Sequence, residues 1–118
     1  MTIVCYGDSN TWGYVAGTGE RYAHDVRWTG VVQRELGGDY AVIEEGLNGR
    51  TSVYDHPRSL ARKGIDYLLP CLLSQKPLDL VVLRDGKKAL LGCVLLLSLS
   101  FLVGDPVYSM KVWQLFLT

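Results

Sequence analysis

The chain has 118 residues, with 12 basic and 12 acidic side chains and a formal net charge of zero. That length suits one domain, and the lack of any basic stripe argues against nucleic acid and anionic membrane as partners. Three cysteines (Cys5, Cys71 and Cys93) and two histidines lie too far apart in sequence to suggest a structural zinc site, and a reducing compartment is the default. No basic segment followed by an apolar run opens the chain, so a secretory signal is not expected and a cytoplasmic location is.

Thr2-Ile3-Val4-Cys5-Tyr6 is rich in β-branched and aromatic residues and reads as a buried strand. It runs into Gly7-Asp8-Ser9-Asn10-Thr11-Trp12-Gly13, a polar turn of the kind that carries ligands at the carboxyl ends of strands in open α/β sheets. Ser9 there suits a nucleophile, and it equally suits a helix N-cap. Residues 14–23 read as a loop. Asp25 is expected to cap a helix from about Val26, whose face is Trp28, Val31, Val32 and Leu36. Gly37-Gly38 stops it.

Ala41-Val42-Ile43 forms a short second strand, and Glu44 to Ser52 a loop. A helix over about Asp66 to Gln75 buries Tyr67, Leu68, Leu69, Leu72 and Leu73, with Pro70 in its first turn. Pro77 ends it. Leu78 to Leu83 is a third strand. The order strand, helix, strand, helix, strand predicts a parallel sheet with helices on both faces.

Beyond residue 83 the character changes. A charged stretch, 84–88, precedes a Leu-rich run over 89–103. A membrane-spanning helix needs about 20 apolar residues, so a buried or poorly folded hydrophobic segment is the preferred reading and a marginal membrane or interfacial segment the alternative. The remaining tail carries no motif. The chain therefore divides into 1–83 and an unrecognised 84–118.

A second polar stretch, Glu44-Glu45-Gly46-Leu47-Asn48-Gly49-Arg50-Thr51-Ser52, follows the second strand and should emerge on the same sheet edge as Ser9. The Gly49 N–H could approach a group bound at Ser9, giving two converging backbone donors. Together the two stretches resemble the SGNH (GDSL-type) hydrolases. Gly7-Asp8-Ser9-Asn10 looks like that family's first block and Asn48-Gly49-Arg50-Thr51 like its second. Thr11-Trp12-Gly13, Asp25-Val26-Arg27-Trp28-Thr29-Gly30, Val42-Ile43-Glu44-Glu45-Gly46-Leu47 and Pro77-Leu78-Asp79-Leu80-Val81-Val82 resemble the bacterial arylesterase and acyltransferase branch. The resemblance covers residues 1–83.

It implies a flavodoxin-like three-layer α/β/α fold and acyl transfer through an acyl-serine on Ser9. The Ser9 and Gly49 N–H groups would hold the oxyanion, and Asp8, Asn10, Trp12 and Asn48 would line the substrate pocket. Trp12 could equally pack at the sheet edge, and Asp8 could equally be a plain cap. The substrate would be a small carboxylic ester, with no cofactor and no metal. Oligomeric state is left open, a homo-oligomer included.

Two family blocks are missing. No asparagine follows Asn48, so the third block, Gly-Xaa-Asn-Asp, is absent, and no histidine follows His56, so Asp-Xaa-Xaa-His is absent too. A truncated or frame-shifted coding sequence would produce this pattern, and inactive or impaired catalysis is expected from the missing blocks. His24 and His56 read as solvated loop histidines. The competing reading from another class is a flavodoxin-like binding module, with a phosphate at the Ser9-Asn10-Thr11 turn and Trp12 stacked on a flavin. A P-loop is excluded, as no Gly-Lys-Ser/Thr follows the turn.

Overall fold

The computed structural model describes residues 1–84. The Leu-rich run, the tail and Cys93 lie outside the described residues. The elements run β1 (Thr2–Gly7), α1 (Ser9–Trp12), α2 (Trp28–Leu36), β2 (Ala41–Gly46), α3 (Gly64–Ser74) and β3 (Leu80–Arg84). The three strands form one parallel sheet in the order β2-β1-β3. As the central strand, β1 is apolar without alternation because both its faces are covered. Val4 and Tyr6 face α3, joining Leu68, Cys71, Leu72, Leu78 and Val81. Ile3 and Cys5 point the other way, joining Val82, Trp28, Tyr40 and Val42. The expected three-layer α/β/α arrangement is present, with α3 on one face and α2 on the other.

The register sets the working edge. Gly7 pairs with Gly46 on one side and Arg84 on the other, so the three strands finish level. At the opposite edge Asp79 ties β3 to β1. Its carboxylate accepts from Thr2 N at 2.7 Å and its N–H donates to Thr2 O at 3.0 Å.

Expectations for four elements change. Strand β2 is longer than expected and takes in Glu44, Glu45 and Gly46, because each residue pairs with β1 up to Gly7. Helix α2 starts at Trp28 rather than Val26, and Asp25 does not cap it; Arg27 is the N-cap and makes no side-chain cap bond. Its buried residues are the small Thr29 and Gly30. A side chain at position 30 would run into the His24 carbonyl, so close backbone approach seats this helix together with Trp28; of the expected apolar face Val31 and Val32 are half-buried and Leu36 is exposed.

Helix α3 starts at Gly64, where Gly64 N donates to Thr51 O at 2.8 Å and Ile65 N to Ser52 O at 2.9 Å. Anchored this early, it carries Pro70 in its interior, on an exposed position, instead of in its first turn. It buries Leu68, Cys71 and Leu72, while Tyr67, Leu69 and Leu73 stay exposed. The expected five-residue stripe was wider than the strip of helix that meets the sheet. Strand β3 begins at Leu80 and extends through Arg84, one residue past the expected boundary at 83.

Candidate active site

The site grows from the two glycines that end β1 and β2. A Cβ at Gly7 would meet the Thr11 side chain and the Arg84 carbonyl, and one at Gly46 would meet the Thr11–Trp12 backbone. With neither Cβ present, the single turn α1 lies directly across the strand ends. Asp8 organises that turn. Its carbonyl accepts from Thr11 N at 3.1 Å and Trp12 N at 3.0 Å, and its carboxylate accepts from Asn10 N at 2.9 Å. Asp8 is thus the N-cap and Ser9 the first helical residue, half-buried, while Asn10 is exposed. N–H groups at such a helix start have no intrahelical acceptor.

The loop after β2 docks on the same edge. Leu47 N donates to Gly7 O at 3.1 Å, and Arg50 N to Leu47 O at 3.0 Å, closing a tight turn around Asn48 and Gly49. Gly49 has φ +74°, a left-handed conformation that favours glycine. The Asn48 Oδ1 is buried and has no hydrogen-bond partner among the described residues. Such an acceptor is costly unless something donates to it.

Trp12 is half-buried and held by a side chain that sequence reading missed. Arg21 Nε donates to Trp12 O at 2.6 Å, and the guanidinium lies 5.1 Å from the ring centroid. Arg21 then reaches Glu44 at 3.4 Å. Glu44 also lies 3.0 Å from Arg27 and 3.8 Å from His24, and accepts from the Thr29 hydroxyl. The Arg27 pair is electrostatic, since its nitrogen is not aligned for a hydrogen bond. The clue lay in Val42 and Glu44 sharing one strand face: an acid on a covered face requires charged partners.

Arg50, on the loop itself, was likewise not singled out as more than a motif letter. Its guanidinium donates to Gly7 O at 3.1 Å and Glu45 O at 2.5 Å, and lies 3.9 Å from the Tyr6 ring centroid.

The two histidines part company. His24 is exposed beside Glu44. His56, expected to be solvated, is half-buried and lies against Gly49, with Nδ1 accepting from Arg58 N at 3.1 Å. In the neutral ring this leaves the proton on Nε2, the wrong tautomer for a base acting through that nitrogen.

Other titratable groups near the strand ends belong to the core. Burial, reinforced by Glu44, pushes the Cys5 thiol up to about 12. Burial, then Glu45, pushes Cys71 up to about 11. Burial also raises Tyr6 to about 12 against the opposing pull of Arg50. Both thiols stay protonated and unreactive at neutral pH. Among the described residues no group of three His, Cys, Asp or Glu could hold a metal ion, and no helix is long and apolar enough to cross a membrane.

The level parallel sheet, covered on both faces, with a Ser-bearing turn across its carboxyl edge, is similar to part of the SGNH hydrolase fold. The resemblance extends to solved structures. An inhibitor-bound aryl esterase from M. smegmatis superposes with a TM-score of 0.78 at 37% identity, covering 96% of this chain and 62% of that one. A carbohydrate acetylesterase family member from Sinorhizobium meliloti gives 0.77 at 36%, covering 96% and 61%. Another carbohydrate acetylesterase from Sinorhizobium meliloti gives 0.79 at 33%, covering 96% and 62%. The chain therefore spans less than two-thirds of the length of these esterases. No protein-family model and no curated protein sequence matches it.

Proposed function

We propose that the chain carries the nucleophile half of an SGNH-type ester hydrolase or acyltransferase site, acting on small carboxylic esters. Ser9 Oγ attacks the ester carbonyl, and the acyl group passes to Ser9 as the alcohol leaves. Water or a second alcohol then accepts it. The Ser9 and Gly49 N–H groups hold the developing oxyanion. Trp12 lines the acyl side, and Asp8 and Asn10 shape the turn. The unpaired Asn48 Oδ1 accepts from a donor on the substrate. One observation carries this reading: Ser9 begins a helix laid across the carboxyl ends of β1 and β2, beside the Gly49 turn. The esterase neighbours support it.

The chain as given lacks the third-block asparagine and a histidine after His56. Losing one oxyanion donor costs about 10²–10³ in turnover. Losing the base leaves about 10³–10⁴ over water. Together the two losses leave about 1–10²-fold over water, so we propose negligible ester turnover by the chain as given, with Ser9 still able to react slowly with a strong electrophile. A fluorophosphonate probe mapped by mass spectrometry tests this. Slow labelling at Ser9, abolished in Ser9→Ala, is expected. Labelling elsewhere, or none, overturns the nucleophile assignment. Turnover of p-nitrophenyl acetate on a par with a complete esterase overturns the impairment.

The binding-module reading is less well supported. Arg21 already occupies one face of Trp12, which leaves at most the other for a flavin.

A further inference from the structure

We propose that Arg50 is a positioning residue that sets the spacing between the Ser9 turn and the Gly49 loop. The inference rests on the acyl-serine reading of those two positions, though the clamp itself is a matter of geometry. An oxyanion hole made of two backbone N–H groups on separate loops works only if the loops keep a fixed separation. A misplacement of about 1 Å at such a site costs on the order of 10²-fold in rate.

Arg50 is bonded to both sides of that gap. Its backbone is peptide-linked to Gly49, and its N–H closes the Leu47–Arg50 turn at 3.0 Å. Its side chain turns back beneath the strand ends. Nη1 donates to Gly7 O at 3.1 Å, two residues before Ser9, and to Glu45 O at 2.5 Å near the end of β2. One residue thus joins the Gly49 loop, the end of β2 and the approach to Ser9.

Gly7 O already accepts from Leu47 N at 3.1 Å, so the guanidinium adds a second donor to that carbonyl at the end of the ladder. A guanidinium supplies charge-assisted bonds in a planar, preorganised fork.

The guanidinium is itself held. It lies 3.9 Å from the Tyr6 ring centroid and 5.7 Å from that of Tyr67. Tyr6 is fixed in turn by donating its hydroxyl to Gly64 O at 2.7 Å. The Arg50 stem passes beside Gly64, where a Cβ would touch Cγ and Cδ at 3.4 Å. The start of α3 thereby backs the clamp from the far side. A lysine at position 50 keeps the charge but is a point donor, without the planar contact to Tyr6.

The test compares the full chain with Arg50→Lys and Arg50→Met, reading amide hydrogen exchange together with fluorophosphonate labelling. Arg50→Met is expected to speed exchange by about tenfold or more in both 8–10 and 47–49, while Val4 and Val81 change by less than about twofold. Arg50→Lys falls between. Ser9 labelling is expected to slow by about tenfold or more in Arg50→Met. Acceleration in one segment only, or equally throughout the chain, overturns the clamp. If Arg50→Met fails to fold, Arg50→Lys decides by the same pattern. If the unmodified chain does not label at Ser9, the acyl-serine reading fails, and exchange alone judges the clamp.

Discussion

The two faces of the sheet are built differently. Towards α3 the layer is mainly apolar: Leu68, Cys71 and Leu72 from the helix meet Val4, Tyr6 and Val81 from the strands, with Glu45 and Arg50 at its margin. Towards α2 the apolar cluster is smaller, and a carboxylate stands in the middle of the interface. Glu44 gathers Arg21, Arg27, His24 and Thr29 from the segment between α1 and α2 and from α2 itself. The first face is held by non-directional burial, which scales with area. The second is held by directional charge pairing, which fixes where each partner sits. It reaches the candidate pocket through Arg21 on Trp12, while the first face meets the site through Arg50, which lies over Tyr6 and donates to Gly7 O. Apolar packing dominates one side of the sheet, and ion pairing on the other holds Trp12.

The contrast can be broken at its strongest point first. Leu68→Ala removes a buried side chain from the α3 face and should cost about 2–5 kcal/mol in denaturant unfolding. It should leave the Arg21–Trp12 contact in place, so tryptophan emission below the transition stays unchanged. A shift in that emission would mean that the two faces are coupled.

Glu44→Gln probes the other face. It leaves the Arg27 guanidinium, only 11% exposed, without its counter-charge. A loss of about 2–3 kcal/mol is expected, with a change in tryptophan emission as Arg21 is released. A Glu44→Leu, Arg27→Met double variant should recover part of that loss, because removing both charges also removes their desolvation cost. A neutral Glu44→Gln would show that apolar contacts hold both faces alike.

The smallest effect samples both faces at once. Cys5 lies in the α2-side cluster and Cys71 in the α3-side cluster. Both thiols have folded-state values raised above the ordinary 9.0, to about 12 and about 11. The folded state therefore keeps protons that the unfolded state gives up. Stability should be full below pH 9 and fall as pH rises through the window to 11 or 12, by about 1 kcal/mol per thiol at pH 10. Cys5→Ala and Cys71→Ala should each flatten the alkaline slope of stability against pH. Equal slopes in all three proteins would mean that the thiols do not contribute.

Much of this was legible from residue order. The unbroken apolar run of β1 announces a central strand covered on both sides. Gly37 marks the end of α2, and the Gly7-to-Gly13 and Glu44-to-Ser52 stretches pick out the working edge. What stayed hidden were features decided by partners far away in sequence. Pro70 sits inside α3 because Thr51 and Ser52 anchor the helix earlier than its own apolar spacing suggests. Asp25 is a good capping residue without a helix end to cap.

Composition and spacing by themselves determined the α/β class, the parallel order and the position of Ser9 at a strand end. These follow from local chemistry: which residues extend, which turn and which cap. Tertiary structure alone decided how the Ser9 turn is held. Gly46 serves the Ser9 turn as directly as Gly7 does, because α1 crosses both strand ends. Glu44 belongs to a strand and an ion network rather than a loop. Arg50 reaches back to Gly7 across 43 residues of sequence. Each depends on β1 pairing with β2 in one register, a non-local choice that no single stretch of chain encodes.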